Sequence, residues 1–283
     1  VTPASRQLIV NADDFGLTAG VNAGIIGAYR RGVVRSASLM TTTPGFADAV
    51  ALAQAHPDLD LGVHLALTGV RPALPPQQIP SLVGPTGQFP PLNAWLGRVA
   101  AGRLDPGEVR AELAAQLARA LDTGLPFSHL DGHHHTHLFA PVSAVVADLA
   151  REANIPVIRR VVDTAAEPRP PAPRSAGDAL KRSLLTLAER RWGGSYAPFA
   201  RARAFRGFAF PTDLAAWHTL LQSLPAGTTE LMCHPGLADP AIAPLDPYIA
   251  GRETELRWLT DPRLLTLVQH YTVTLTTFRT LAL

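Results

Sequence analysis

Lysine is nearly missing from this chain: of its 25 basic residues only Lys181 is a lysine, and the rest are arginines. Schiff-base or carboxylated-lysine chemistry would have to rest on that one side chain. It sits in a basic, helix-like stretch expected at the surface, so those mechanisms are set aside. Cysteine is as scarce. Cys233 stands alone, which excludes an internal disulfide and a cysteine-rich zinc site, and it reads as a small buried hydrophobe. No apolar run reaches the about 18 residues that a membrane helix needs. The opening VTPASRQLIVNADD has no sustained apolar core, so the expectation is a cytoplasmic protein without an integral membrane segment. Net charge is only +2, too little to argue for a nucleic-acid partner.

What is present is a chain of ordinary globular composition, 47% hydrophobic and 283 residues long. That length buries roughly three quarters of the unfolded surface, enough for one large core. RQLIVNADD reads as a buried strand ending in polar residues, followed by a helix over Ala19–Arg31 with Gly32 as its stop. VVRSASLM and DLGVHLAL read as further strands, with a short helix opened by Pro44 between them. Asp105-Pro106 starts an amphipathic helix, PVSAVVADLAREAN forms another, and IPVIRRVV, TTELMCH and YTVTLTTF read as strands. Such alternation predicts an α/β fold with parallel strands, a distorted (β/α) TIM-like barrel in a single domain over 1–283. Two stretches interrupt the rhythm. A Pro- and Gly-rich loop at about 68–91 is expected to be functional or disordered. A basic insertion at about 163–206 reads first as a solvated surface, with an anion-binding face as the alternative. Its Trp192, Tyr196 and Phe199 read as packing residues before a cover for a sugar ring or a lipid.

Five of the ten histidines lie in HLDGHHHTH, residues 129–137. On an extended strand His129, Asp131, His133, His135 and His137 would share one face, with His134 opposite. Four residues of strand span roughly 13 Å, so His129, His133 and His137 cannot all reach one ion. The stretch is expected to give one or two metal ligands, its other polar groups supporting those or facing substrate. The remaining ligands must come from other strand ends, where Asp13, Asp14, His64 and His234 stand. Taken singly each has a plainer role: a turn or cap for the aspartates, a satisfied core position for His64.

NADDFGLTAGVNAGI, SLM, GVHLALT, HLDGHHHTH and MCHPG occur in the order seen in the YdjC-like carbohydrate deacetylases, which this chain resembles from Leu8 to about Asp239. The resemblance implies a distorted (β/α) barrel and metal-dependent removal of an N-acetyl group from an amino sugar. The substrate would be a chitooligosaccharide or an N-acetylglucosaminyl glycan or lipid. Carried over motif by motif, Asp14, His64 and His133 resemble metal ligands, Asp13 a general base, and His234 an acid or polarising group. Asp131 could orient a nearby imidazole, while His129, His135 and His137 would support the site or face substrate. One divalent ion is expected. Two imidazoles favour zinc, cobalt or manganese, while the resemblance also allows magnesium, so Mg2+ and Zn2+ both stay open. A homodimer is compatible with the sequence without being specified by it.

Three rivals follow from the residues. An amidohydrolase or phosphoesterase barrel would use a His-x-His pair, here His133/His135 or His135/His137, but lacks its usual lysine. A non-catalytic sugar-binding protein would have lost Asp13 or a ligand. A regulatory protein would use the arginine-rich segment to dock a partner or an anionic membrane surface.

Overall fold

The computed structural model describes residues 5–161 and 176–282. The first part of the basic insertion expected at about 163–206, residues 163–175, therefore lies outside the described residues. The chain runs β1 (Arg6–Phe15), α1 (Ala19–Arg31), β2 (Ser36–Leu39), α2 (Phe46–Ala55), β3 (Asp60–Leu65) and then the long loop. It continues with α3 (Leu92–Ala100), α4 (Pro106–Leu121), β4 (His129–Gly132), α5 (Val142–Glu152), β5 (Val157–Ile158) and α6 (Ala176–Trp192). The last third holds β6 (Ala204–Arg206), α7 (Leu214–Gln222), β7 (Gly227–Cys233), α8 (Ala250–Leu259), α9 (Pro262–His270) and β8 (Val273–Thr276).

Local chemistry sets many of these boundaries. Thr18 caps α1 by accepting from the Val21 amide, and Gly32 ends it. A Cβ at Gly32 would stand 1.9 Å from the Leu259 carbonyl oxygen, so only glycine lets α1 end against α8. Asp105 accepts from the Gly107 and Glu108 amides, and Pro106 fills the first turn of α4, where no amide partner is needed. Strand β1 is buried from Leu8 onward on both faces, which is why it reads as a continuous apolar run and not as an alternation.

All strand pairs are parallel, in the order β5-β4-β3-β2-β1-β7-β6. The long β1 is the axis of the arrangement. Strand β7 pairs along one of its edges from Arg6 to Ala12. The other edge is shared end to end: β8 takes Arg6–Ile9 and β2 takes Asn11–Phe15. In a regular barrel the eighth strand would separate the seventh from the first. Here β8 is displaced to the N-terminal end of β1, and the edge strand β5 is bridged at Val157 to Ala200 in the segment leading into the other edge strand, β6. The result is a parallel sheet curled into a half-barrel with flanking helices, the distorted form of the barrel read from the sequence. Its C-terminal strand ends gather on one face, as parallel topology requires.

The loop at 68–91 departs from its expected role. Ile79, Leu82 and Phe89 are buried in the core. The buried Glu112 of α4 accepts from the Ala73 and Leu74 amides, and Glu108 accepts from that of Ser81. Loop amides that water would otherwise satisfy are held by helix carboxylates, so the loop packs as a fixed part of the fold. None of residues 68–91 lines the central cavity described below.

Candidate metal and catalytic centre

A cavity of about 680 Å³ opens at the C-terminal ends of the strands, with Asp13, Asp14, His64, His133, His135 and His234 in its wall. Four separate strands deliver these groups: the end of β1, the last but one residue of β3, the residue after β4 and the residue after β7. Asp14 adopts a left-handed backbone with φ 66°. That turn within the strand end gives two adjacent carboxylates different partners.

Asp14 places Oδ1 3.1 Å from His133 Nδ1 and 3.5 Å from His64 Nε2. Its Oδ2 accepts from Arg252 of α8 at 2.5 Å. His64 turns Nδ1 to Asp131 Oδ1 at 2.7 Å, which leaves Nε2 pointed at Asp14. Asp131 is itself held by Ser38 Oγ at 2.7 Å and by Arg159 at 2.7 Å. Arg159, wholly buried on the extended chain after β5, also donates to both oxygens of Asp13 and to Glu230 Oε1. One guanidinium therefore ties together three carboxylates from β1, β4 and β7.

The electrostatics call for a positive charge. Burial by itself would lower the pKa of His64, but Asp131, Asp13 and Asp14 outweigh it and raise the imidazole to about 9. Burial would raise Asp14, yet Arg252 and His133 hold it well below the usual carboxylate range. Burial likewise opposes ionisation of Asp131, and Arg159 and His64 overcome it. Glu230 goes the other way: burial, helped by the like charges of Asp13 and Asp131, pushes it up to about 8 despite Arg159.

Ligand-type atoms lie within 4.8 Å of one another in two groups among the described residues: Asp14–His64–His133, and Asp13–His64–Asp131. In the second, both carboxylates already bind Arg159 at 2.6–2.7 Å, so a cation has been supplied by the protein itself. The first group retains unshared ligand atoms. Ligands 2.0–2.1 Å from a tetrahedral ion stand about 3.3 Å apart, and the observed 3.1 and 3.5 Å straddle that spacing. The donor set therefore fits a divalent ion. Neither His133/His135 nor His135/His137 forms such a group, which removes the geometric basis of a His-x-His centre.

The histidine-rich stretch does not remain a strand beyond Gly132. His134 and His135 take left-handed backbone angles, φ 54° and 60°, so the single-face reading fails after Asp131. His135 reaches the cavity wall, and His134 bonds to Thr68. His129 stacks on Phe278 at 3.8 Å and contacts Ser38, below the cavity. His137 packs behind it, against the Arg159 carbonyl and the Tyr196 ring. His129 and His137 thus support the floor and do not face the cavity. His234 donates its amide to Glu255 Oε2 at 2.5 Å, and Tyr248 bonds the other Glu255 oxygen. Trp192 and Tyr196 pack inward as expected, whereas the cavity's aromatic wall is Phe208, Phe210 and Tyr248.

Arg159, Glu230, Arg252 and Glu255 were not singled out from the sequence. A charged residue inside a fully apolar strand, as in TTELMC or IPVIRRVV, demands a buried partner, and that signal could have found Glu230 and Arg159. Nothing in the pattern of GRETELRWL distinguishes Arg252 from a solvated helix residue.

Residues 7–270 match the YdjC-like protein family. A carbohydrate deacetylase of Geobacillus stearothermophilus is 36% identical over 280 residues, covering 97% of each chain. A carbohydrate deacetylase of Vibrio vulnificus (strain CMCP6) is 34% identical over 91% of this chain and 89% of its own. Among solved structures, a protein of Enterococcus faecalis V583 described as a candidate cellobiose-phosphate cleavage protein superposes with a TM-score of 0.78. It is 27% identical and covers 99% of this chain and 100% of its own. Fold, strand-end residues and relatives agree, and the chain belongs to the YdjC-like protein family.

Proposed function

We propose that this protein is a metal-dependent carbohydrate N-deacetylase, hydrolysing the acetamido group of an amino sugar to acetate and the free amine. The observation that carries the reading is the Asp14–His64–His133 group, placed beside Asp13 in the wall of a strand-end cavity. Relatives named carbohydrate deacetylase across nearly the whole chain support it. The cavity volume lies within the range of small-molecule sites.

Asp14 Oδ1, His64 Nε2 and His133 Nδ1 would hold the ion, and Asp131 fixes the His64 ring so that Nε2 is the free nitrogen. When bound, a divalent ion polarises the amide carbonyl and lowers the pKa of a water molecule. Two imidazoles and one carboxylate favour zinc, cobalt or manganese over magnesium. The other tasks fall to the chain itself. Asp13 Oδ1 already accepts from Asn11 and Arg159, whereas Oδ2 accepts only from Arg159. A carboxylate oxygen has two acceptor sites, so Oδ2 is the atom with room to take the proton of the attacking water. Arg159 holds that carboxylate in place through two bonds and keeps it from turning toward the ion site. His234, partly open to the cavity with its backbone pinned by Glu255, donates the proton that makes the amine a competent leaving group. Phe208, Phe210 and Tyr248 give the carbon–hydrogen face of a sugar ring an apolar wall.

The experiment is acetate release from a panel of N-acetylated sugars, including chitooligosaccharides and glycolipids, by metal-stripped protein before and after each divalent ion is restored. Metal-dependent release is expected. Equal release by stripped and restored protein would contradict the reading.

A further inference from the structure

We propose that the outward face of α6 is an interfacial element that seats the protein on an anionic lipid bilayer. Seven large apolar residues are exposed among the described residues, and four of them stand singly on separate elements. The other three, Leu180, Leu184 and Leu187, are 62%, 41% and 63% exposed on this one helix. Spacings of four and three residues place them on a single stripe. The opposite side of α6 already buries Leu185 and Ala188 in the core. A helix facing water on its outer side carries polar residues there; α6 carries leucines on both sides.

The charges beside that stripe have one sign. Lys181 follows Leu180, and Arg190 and Arg191 close the helix, all three exposed. Arg182 lies over the Phe208 ring at 5.9 Å. Between 180 and 192 the one acidic residue is Glu189, which is turned inward and paired with Arg160 and Arg201. Over 180–192, an apolar stripe flanked by lysine and arginine with no outward acid is the pattern of a helix lying in the headgroup region of an anionic membrane; the helix's other acid, Asp178, precedes the stripe. A second copy of the chain is the poorer occupant. A two-fold contact through this stripe would bring each basic margin against its own image, and like charges oppose that closure.

The stripe also has a definite place relative to the cavity. Lys181 and Phe208 both line it, so the leucines begin beside its mouth. A protein docked through α6 would open its cavity along the bilayer surface. Docking is read without turnover, so it stands or falls separately from the deacetylase assignment.

The test is co-sedimentation of the full chain with phosphatidylcholine vesicles and with vesicles that also contain phosphatidylglycerol. Wild type is expected to bind the anionic vesicles at least about tenfold more tightly than the neutral ones, and to lose most of that preference in high salt. L184E/L187E is expected to lose about tenfold or more of the binding, and R190Q/R191Q to lose chiefly the anionic preference. Both variants alter exposed positions away from the cavity wall, so their thermal melting should match wild type and confirm folding. Equal binding to both vesicle types, or no binding to either, would overturn the proposal. So would a wild-type dimer in light scattering that L184E/L187E splits into monomers, because the second copy would then be the occupant.

Discussion

Asp13 and Asp14 are neighbours in sequence and unlike in role, and the difference comes from one left-handed backbone residue and two arginines. Arg159 holds the first carboxylate, while Arg252 takes one oxygen of the second and leaves the other to two imidazoles. Asp131 acts through His64, so Asp131→Asn is expected to weaken divalent-ion affinity or turnover by about 10–100-fold. Calorimetric titration of the ion reads this without relying on activity. Arg252→Met would leave Asp14 and Asp246 without their buried cation and is expected to destabilise metal-stripped protein by about 3–5 kcal/mol. Denaturant melts with chelator and with ion should show the loss shrinking when a divalent ion takes over the charge of Asp14. An equal loss in both conditions would mean that no ion binds beside Asp14. At this scale much was legible in the sequence. The residues that converge lie at strand ends, and strand ends can be placed from apolar runs. What could not be read was which imidazoles face inward, because the left-handed turn at His134–His135 breaks the two-residue alternation. Arg252 was hidden because helix α8 reaches the site only through tertiary packing.

Among the elements, β3 and β4 are the pair whose register sets the site, with His64 opposite Asp131. Two residues earlier Gly62 lies opposite His129, and a Cβ at Gly62 would fall 2.2 Å from His129 Nε2. Gly62→Ala must therefore push the buried imidazole off Phe278, and overpacking of this kind costs roughly 1–3 kcal/mol. Because His129 and Asp131 both contact Ser38, turnover should fall along with the melting temperature. Unchanged stability would mean that the ring relocates freely. Element boundaries were readable where capping chemistry marked them, as at Gly32 and Asp105. The Asp261-Pro262 pair caps α9 in the same way as Asp105-Pro106 caps α4, with Asp261 accepting from the Arg263 amide, so the sequence carries the same signal there. Strand β5 was readable from the apolar run IPVIRRVV, whereas α3 has no side-chain cap and β6 is three residues long. Neither α3 nor β6 leaves a pattern that local chemistry could mark.

For the molecule as a whole, burial of neutral histidines links stability to pH. Burial pushes both His129 and His137 down to about 4. The unfolded chain takes up protons near the ordinary value of 6.5 while the folded chain refuses them, so the folded state binds fewer protons between those limits. The contribution of these two histidines is then complete above about pH 6.5 and is lost as pH drops toward about 4, by up to about 1.4 kcal/mol per pH unit for each. Urea melts of metal-stripped protein between about pH 7 and pH 5 should show this slope, and His137→Gln should reduce it. The barrel class itself was legible from strand–helix alternation. The displacement of β8 was not, because it depends on which edge of β1 each strand occupies and not on any property of YTVTLTTF. The fixed packing of the long loop was not legible for a related reason: its proline and glycine content is visible, whereas the Glu112 and Glu108 carboxylates that fix it come from α4.

The most direct test of the central claim is a paired assay of bound metal and acetate release on the same samples of Asp13→Asn and Asp14→Asn. Asparagine tolerates the left-handed backbone of position 14, so the comparison isolates charge. Asp13→Asn is expected to keep its ion and lose about 10²–10⁴-fold in turnover, as for loss of a general base. Asp14→Asn is expected to lose both ion and turnover. Loss of the ion from Asp13→Asn, or full retention of it by Asp14→Asn, would contradict the division of labour between the two carboxylates.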